Sequence, residues 1–227
     1  MLQLPLDIQL DASARFDNFY AANNTQLLQR LKNLTVSSDD FLFIWGAEHV
    51  GKSHLAQAIC AEYSGNKLTT AYFPLDNSSL VPEVLDGFEF ADIVCLDSFQ
   101  AISGDLAWQE AVFNLFNNIK NQKHHLIIFS QQSPKNIPLQ LADLKSRLNS
   151  MEVYRLESLN GEQRVEFLIS TSKHRGLEIP IEVAQYILSR ASRDVKNLIS
   201  LVDLLDAQSL AQQRKVTIPF VKKVLKL

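Results

Sequence analysis

Cysteine is nearly absent: Cys60 and Cys95 are the only two, at neither disulfide nor metal-ligand spacing. That excludes a disulfide-stapled scaffold and a cysteine-based metal module, and both thiols read as reduced core residues. Long apolar runs are missing as well. No stretch reaches the length of a membrane span, and no basic stretch followed by an apolar core opens the chain, so the expectation is a cytoplasmic protein with no membrane attachment. A strong charge of either sign is also lacking. The net charge is −3, which disfavours non-specific nucleic-acid binding by the chain as a whole. It is unevenly spread: residues 158–227 carry eleven Lys and Arg against seven Asp and Glu. That small basic surplus fits ordinary solvated helix faces, with an acidic partner or nucleic acid as the alternative.

What is present is a soluble globular composition, 46% hydrophobic and 21% charged over 227 residues. The length suits one domain with a small appendage. The most informative stretch is Gly46-Ala47-Glu48-His49-Val50-Gly51-Lys52-Ser53, which fits G-x-x-x-x-G-K-[ST] in full. It follows the apolar run Phe41–Trp45 and leads through His54 into an apolar helical pattern, the strand-loop-helix setting of a phosphate-binding loop. Glycines let the backbone N–H groups and the helix N-terminus face an anion. Lys52 can reach the β and γ phosphates, and the Ser53 hydroxyl can ligate Mg²⁺. A bound nucleotide is therefore expected.

Further strands are expected at Thr69–Phe73, Ile93–Asp97, Leu126–Ser130 and Val153–Leu156. Helices are expected over Asn24–Leu34, over Asp105–Asn121, where Trp108, Val112, Leu115, Phe116 and Ile119 recur at helical spacing, and over Asp143–Leu148. Strands alternating with helices give an open, mostly parallel sheet covered on both faces. Ligands of such sheets sit at the C-terminal strand ends. Asp97 is placed there to hold the metal opposite Ser53, and Ser130 to hydrogen-bond a γ-phosphate or an attacking water. His124 and His125 read as a turn leading into their strand. Ser98 stands where many such NTPases carry the acid that polarises water, and a hydroxyl is no general base at neutral pH, so slow or absent hydrolysis by this chain alone is expected. From Ser158 onward the pattern is helical only. The organisation read from the sequence is a flexible tail over 1–12, a P-loop α/β nucleotide-binding domain over 13–157 and a helical lid domain over 158–227.

These elements together carry a resemblance. The P-loop, the acid-ended strand at Asp97, the polar strand end Ser130, the Ser146-Arg147-Leu148 turn and Lys196 look like the Walker A, Walker B, sensor 1, arginine-finger and sensor 2 elements of AAA+ ATPases. Phe16-Asp17-Asn18-Phe19 and Asp194-Val195-Lys196-Asn197-Leu198 are similar to the replication initiator DnaA, over about residues 14–210, without length for that protein's N-terminal or helix-turn-helix domains. The whole chain resembles the Hda group of DnaA-related regulators. The resemblance implies an AAA+ P-loop NTPase fold with a five-stranded parallel sheet and a small helical lid. It also implies ADP or ATP with Mg²⁺ at residues 46–54, Ser130 and Lys196, with Phe16, Phe19 and the region of Gln163 and Arg164 around base and ribose. Its implied partners are DnaA and the β sliding clamp, the latter through Gln3, Leu4 and Leu6. DNA is reached only through the clamp, and a homodimer or higher oligomer is left open.

Under that resemblance Arg147 acts in trans on nucleotide held by DnaA, and the chain is a negative regulator of replication initiation. The residues leave alternatives open: Arg147 as a structural partner of Asp143, and the chain as an initiator or loader like DnaA or DnaC. Two departures from the family pattern bear on the site. Lys196 lacks the bidentate fork of arginine, and Asp7 stands where the clamp peptide usually ends in an aromatic residue or leucine.

Overall fold

The computed structural model describes residues 11, 13–35, 40–190 and 194–225. The tail bearing Gln3, Leu4 and Leu6 lies outside them. The chain divides into two compact units, residues 1–47 with 51–156 and residues 48–50 with 157–227.

The first unit is built on five strands: β1 (Phe41–Trp45), β2 (Thr70–Pro74), β3 (Ile93–Asp97), β4 (His125–Ser130) and β5 (Glu152–Arg155). They form one parallel sheet in the order β2-β3-β4-β1-β5. The two central strands β3 and β4 are buried at every position. A parallel strand covered on both faces has no polar side to present, which is why Ile93–Leu96 and Leu126–Phe129 are unbroken apolar runs. The edges differ in kind: β5 is mostly exposed and carries Glu152 and Arg155, charges that discourage further strand pairing. In β2 burial alternates, and Pro74 closes the strand at the other edge.

The sheet is clad by α1 (Thr25–Lys32), α2 (Lys52–Gly65), α3 (Leu106–Gln122) and α4 (Ala142–Asn149). Phe43, Val94, Leu96, Leu126 and Ile128 form one core with Val112, Leu115, Phe116 and Ile119 of α3 and Leu144 and Leu148 of α4. Helix α2 packs on β2, β3 and β4 through Leu55, Ala56, Ile59 and Cys60. Cys60 and Cys95 are free and buried. The second unit holds α5 (Gly161–His174), α6 (Ile181–Arg190), α7 (Val195–Gln212) and α8 (Ile218–Leu225). Its core includes Leu168, Ala184, Ile187, Leu198, Val202, Leu205 and Val221, each fully buried. Among the described residues no helix is long and apolar enough to cross a membrane.

One element departs from the sequence reading. His125 is the first residue of β4 and 2% exposed, and only His124 belongs to the preceding turn. The cause is a partner far away in sequence: the Asp40 N–H donates to His125 Nδ1 at 3.2 Å. Asp40 also pairs with Arg30, whose Nε lies 3.2 Å from Glu152. This network ties the N-terminal ends of β1, β4 and β5 together, at the sheet edge opposite the P-loop.

Burial holds the His125 imidazole pKa below its ordinary 6.5, against the opposing pull of the Asp40 carboxylate and the Thr35 backbone, with Arg30 and His124 adding to the depression. A depressed histidine leaves stability intact above the unfolded-state value and removes it as pH falls, because the unfolded chain then binds the extra proton. Thermal unfolding followed from pH 7.5 to 5.5 should show Tm falling below about pH 6.5. The uncharged His125→Gln form should show a shallower fall over the same range.

Candidate nucleotide site

Because the strands are parallel, the ends of β1, β3 and β4 that carry Trp45, Asp97 and Ser130 lie at one edge of the sheet. Trp45 pairs in register with Ser130, and the Gly46 N–H donates to the Ser130 carbonyl at 3.1 Å. The P-loop thus leaves β1 directly beside the end of β4. Two left-handed residues fold it: His49 at φ 58 and Gly51 at φ 106. Gly51 is the N-cap of α2, which opens at Lys52, so the first N–H groups of that helix have no carbonyl of their own to meet and point outward.

Lys52 is 8% exposed, and its Nζ donates to the carbonyls of Gly46 (3.0 Å) and Ala47 (2.6 Å). The ammonium is held inside the loop by carbonyls of the loop's own backbone. Ser53 is exposed on the first turn of α2. Glu48 and His49 face each other, Oε1 to Nε2, at 3.3 Å; with Val50 they group with the helical unit.

The two aromatic residues expected near the base diverge. Phe16 is 3% exposed, with the Lys32 ammonium 5.6 Å from its ring centroid. Phe19 turns to the P-loop, where a Cβ on Gly51 would come within 2.9 Å of its ring. His54 lies 5.8 Å from Phe19 between ring centroids, and its Nε2 donates to the Arg15 carbonyl at 2.9 Å. The Asp11 N–H donates to Gln57 Oε1 at 2.6 Å. Asp11 and the residues from Arg15 to Phe19 are therefore strapped to α2 alongside the loop.

Asp97 is 2% exposed, and both of its carboxylate oxygens are engaged: Tyr72 Oη donates to one at 3.0 Å and the Ser98 N–H to the other at 2.8 Å. Burial, and then the adjacent Asp97 charge, push the Tyr72 phenol far above its ordinary range, so it remains a donor. Ser98 itself adopts a left-handed backbone, φ 55 and ψ 37, and starts the turn Phe99–Ile102. From that turn Gln100 reaches Ser130: its Oε1 accepts from Ser130 Oγ at 3.2 Å and from the Gln131 N–H at 2.9 Å. Neither Tyr72 nor Gln100 was singled out in the sequence. Tyr72 is the middle residue of β2 and Gln100 lies in the turn after β3, and neither carries a local signal of its partner.

The residues of this edge fit an Mg²⁺-nucleotide by the chemistry of their donors: outward N–H groups and an ammonium for phosphate, a hydroxyl and a carboxylate for the metal. Bound there, the metal would neutralise phosphate charge. The protein's own part is to hold the loop open at Gly51, keep Lys52 desolvated and fix the Asp97 carboxylate with Tyr72.

Arg147 lies apart from these groups on α4, half-buried between the anchors Leu144 and Leu148, with its guanidinium 5.7 Å from the Phe116 ring centroid. Among the described residues it makes no ion pair, with Asp143 or any other acid. Fully buried Gln109 of α3 fixes the start of that helix, its Oε1 accepting from the Gln140 (2.9 Å) and Leu141 (3.0 Å) N–H groups. In the second unit Lys196 is exposed on the first turn of α7, its N–H capped by Asp194 Oδ1 at 2.9 Å. Gln163 closes a capping box with Asn160 at the start of α5, and the half-buried Arg164 follows it.

A family model of the bacterial DnaA ATPase domain matches residues 10–153. The chain belongs to the bacterial DnaA ATPase-domain family. A model of the Hda lid domain matches residues 161–225, which makes this an Hda-like, DnaA-related AAA+ protein. Its fold is similar to domain III of the Thermotoga maritima replication initiation protein DnaA, at 22% identity over 96% of this chain and 98% of that one, with a TM-score of 0.80. AMPPCP-bound DnaA from Aquifex aeolicus matches at 22% identity over 90% of this chain and 68% of that one, TM-score 0.75. The Thermotoga maritima RuvB Holliday junction branch migration motor matches at 15% identity over 93% and 73%, TM-score 0.67. At such identities the likeness establishes the shared fold. The five-stranded parallel sheet and the helical lid expected from the sequence are both present.

Proposed function

We propose that this chain is a negative regulator of replication initiation that binds ADP with Mg²⁺ at the P-loop and stimulates hydrolysis of the ATP held by DnaA. The observation that carries the reading is the pairing of a DnaA-type ATPase domain with an Hda-type lid. In this reading residues 46–54, Phe19, Ser130 and Lys196 hold the nucleotide, Ser53 and Asp97 hold the metal, and Gln3, Leu4 and Leu6 dock the chain on a DNA-loaded β sliding clamp. Arg147, which makes no ion pair among the described residues, is supplied to DnaA's nucleotide, where a guanidinium offsets charge developing on the transferred phosphoryl group. Ser98 in place of a second acid supports a nucleotide-holding role over a motor role.

The test is hydrolysis of labelled ATP bound to DnaA, with ADP and clamp-loaded DNA present, with and without this chain. Stimulation that disappears when the clamp is omitted supports the reading. Turnover of free ATP by the chain alone, with no effect on DnaA, would replace it with an autonomous initiator- or loader-type ATPase.

A further inference from the structure

Gln100 stands between β3 and β4 with its amide oxygen shared by Ser130 Oγ and the Gln131 N–H. The backbone N–H decides which way the amide faces, since only the oxygen can meet a donor. The Ser98 turn sets its position: the Ala101 N–H closes back on the Ser98 carbonyl at 2.9 Å, and Phe99 beneath is fully buried.

A serine hydroxyl has one proton to donate. Ser130 gives it to Gln100, accepts from the Gln132 N–H at 3.2 Å, and is fully buried. The terminal oxygens of a nucleoside triphosphate are acceptors, so Ser130 can grip a γ-phosphate only by withdrawing its proton from Gln100. A diphosphate, one phosphoryl group shorter, makes no such demand. We propose that Gln100 is a specificity-determining residue that holds the Ser130 proton and so biases the site toward a nucleoside diphosphate. This rests on the nucleotide-binding reading given above.

The inference is tested by titrating the full chain with ADP and with a β,γ-methylene ATP analogue. The wild type is compared with Gln100→Leu, Gln100→Ala, Ser130→Ala and the Gln100→Leu/Ser130→Ala pair. Releasing the Ser130 proton should raise the affinity ratio of analogue to ADP by about 2- to 10-fold in both Gln100 variants, the factor of one neutral hydrogen bond. In the Ser130→Ala background the Gln100 change should leave the ratio unmoved. Gln131 is exposed, so its N–H can turn to water, and unfolding without nucleotide should change little. A ratio that is unchanged or falls, or one that rises equally without Ser130, overturns the inference while the nucleotide reading stands. Absence of ADP binding by the wild type overturns both.

Discussion

Replacing Arg147 with alanine should lower the stimulated hydrolysis of DnaA-bound ATP by about a thousand-fold or more, the span an arginine finger commands in comparable NTPases. The size of the effect follows from what the side chain does in the free protein. Its guanidinium rests on the Phe116 ring and makes no ion pair among the described residues, so little has to be broken before it can meet a phosphate. Its backbone is held independently of it, by the buried Leu144 and Leu148 on either side and by Gln109 at the start of α4. Alanine there should cost stability on the order of 0.5–1 kcal/mol through the lost contact with the ring, and ADP affinity should be unchanged. Arg147→Lys keeps the charge and loses the planar fork, so it should recover only a small part of the rate. The measurement is single-turnover decay of labelled ATP on DnaA. An alanine form that stimulates as well as the intact chain would remove Arg147 from the mechanism.

The parts of this architecture legible in the sequence are those written locally. Continuous apolar runs mark β1, β3 and β4 because a strand buried on both faces has no alternation to hide behind. The P-loop is legible because its glycines and Lys-Ser pair are contiguous. The polar frame around it is not, because each of its members is matched across the fold. Tyr72 reaches Asp97 and Gln100 reaches Ser130, and His125 meets Asp40 from 85 positions away. Nothing local to those residues announces the partner. Phe16 and Phe19 make the same point within one segment: the residue type is identical and the resemblance implies a shared place around the base, yet one ring enters the core and the other faces Gly51. The left-handed turn at Ser98 carries no glycine to announce it, and it is this turn that delivers Gln100 to β4.

The same contact between Phe19 and Gly51 leads to the second large expected effect: Gly51→Ala should lose thermal stability and nucleotide binding together. Two separate costs meet at this position. A backbone at φ 106 is outside what an L side chain adopts without strain, a cost on the order of 1–3 kcal/mol, or about 3–10 °C in Tm for a chain of this size. The added Cβ would also stand 2.9 Å from Phe19 Cε2. The ring cannot simply retreat, because its segment is strapped to α2 through His54 with Arg15 and Gln57 with Asp11. Relief of either cost moves the loop and turns the first N–H groups of α2 away from a phosphate. Phe19→Leu separates the two terms. Paired with Gly51→Ala it removes the steric clash and leaves the backbone strain, so the double variant should regain part of the lost Tm while ADP affinity stays low. Full recovery of both would mean that the ring, and not the backbone, makes glycine necessary here. No recovery of either would mean that the left-handed backbone alone does.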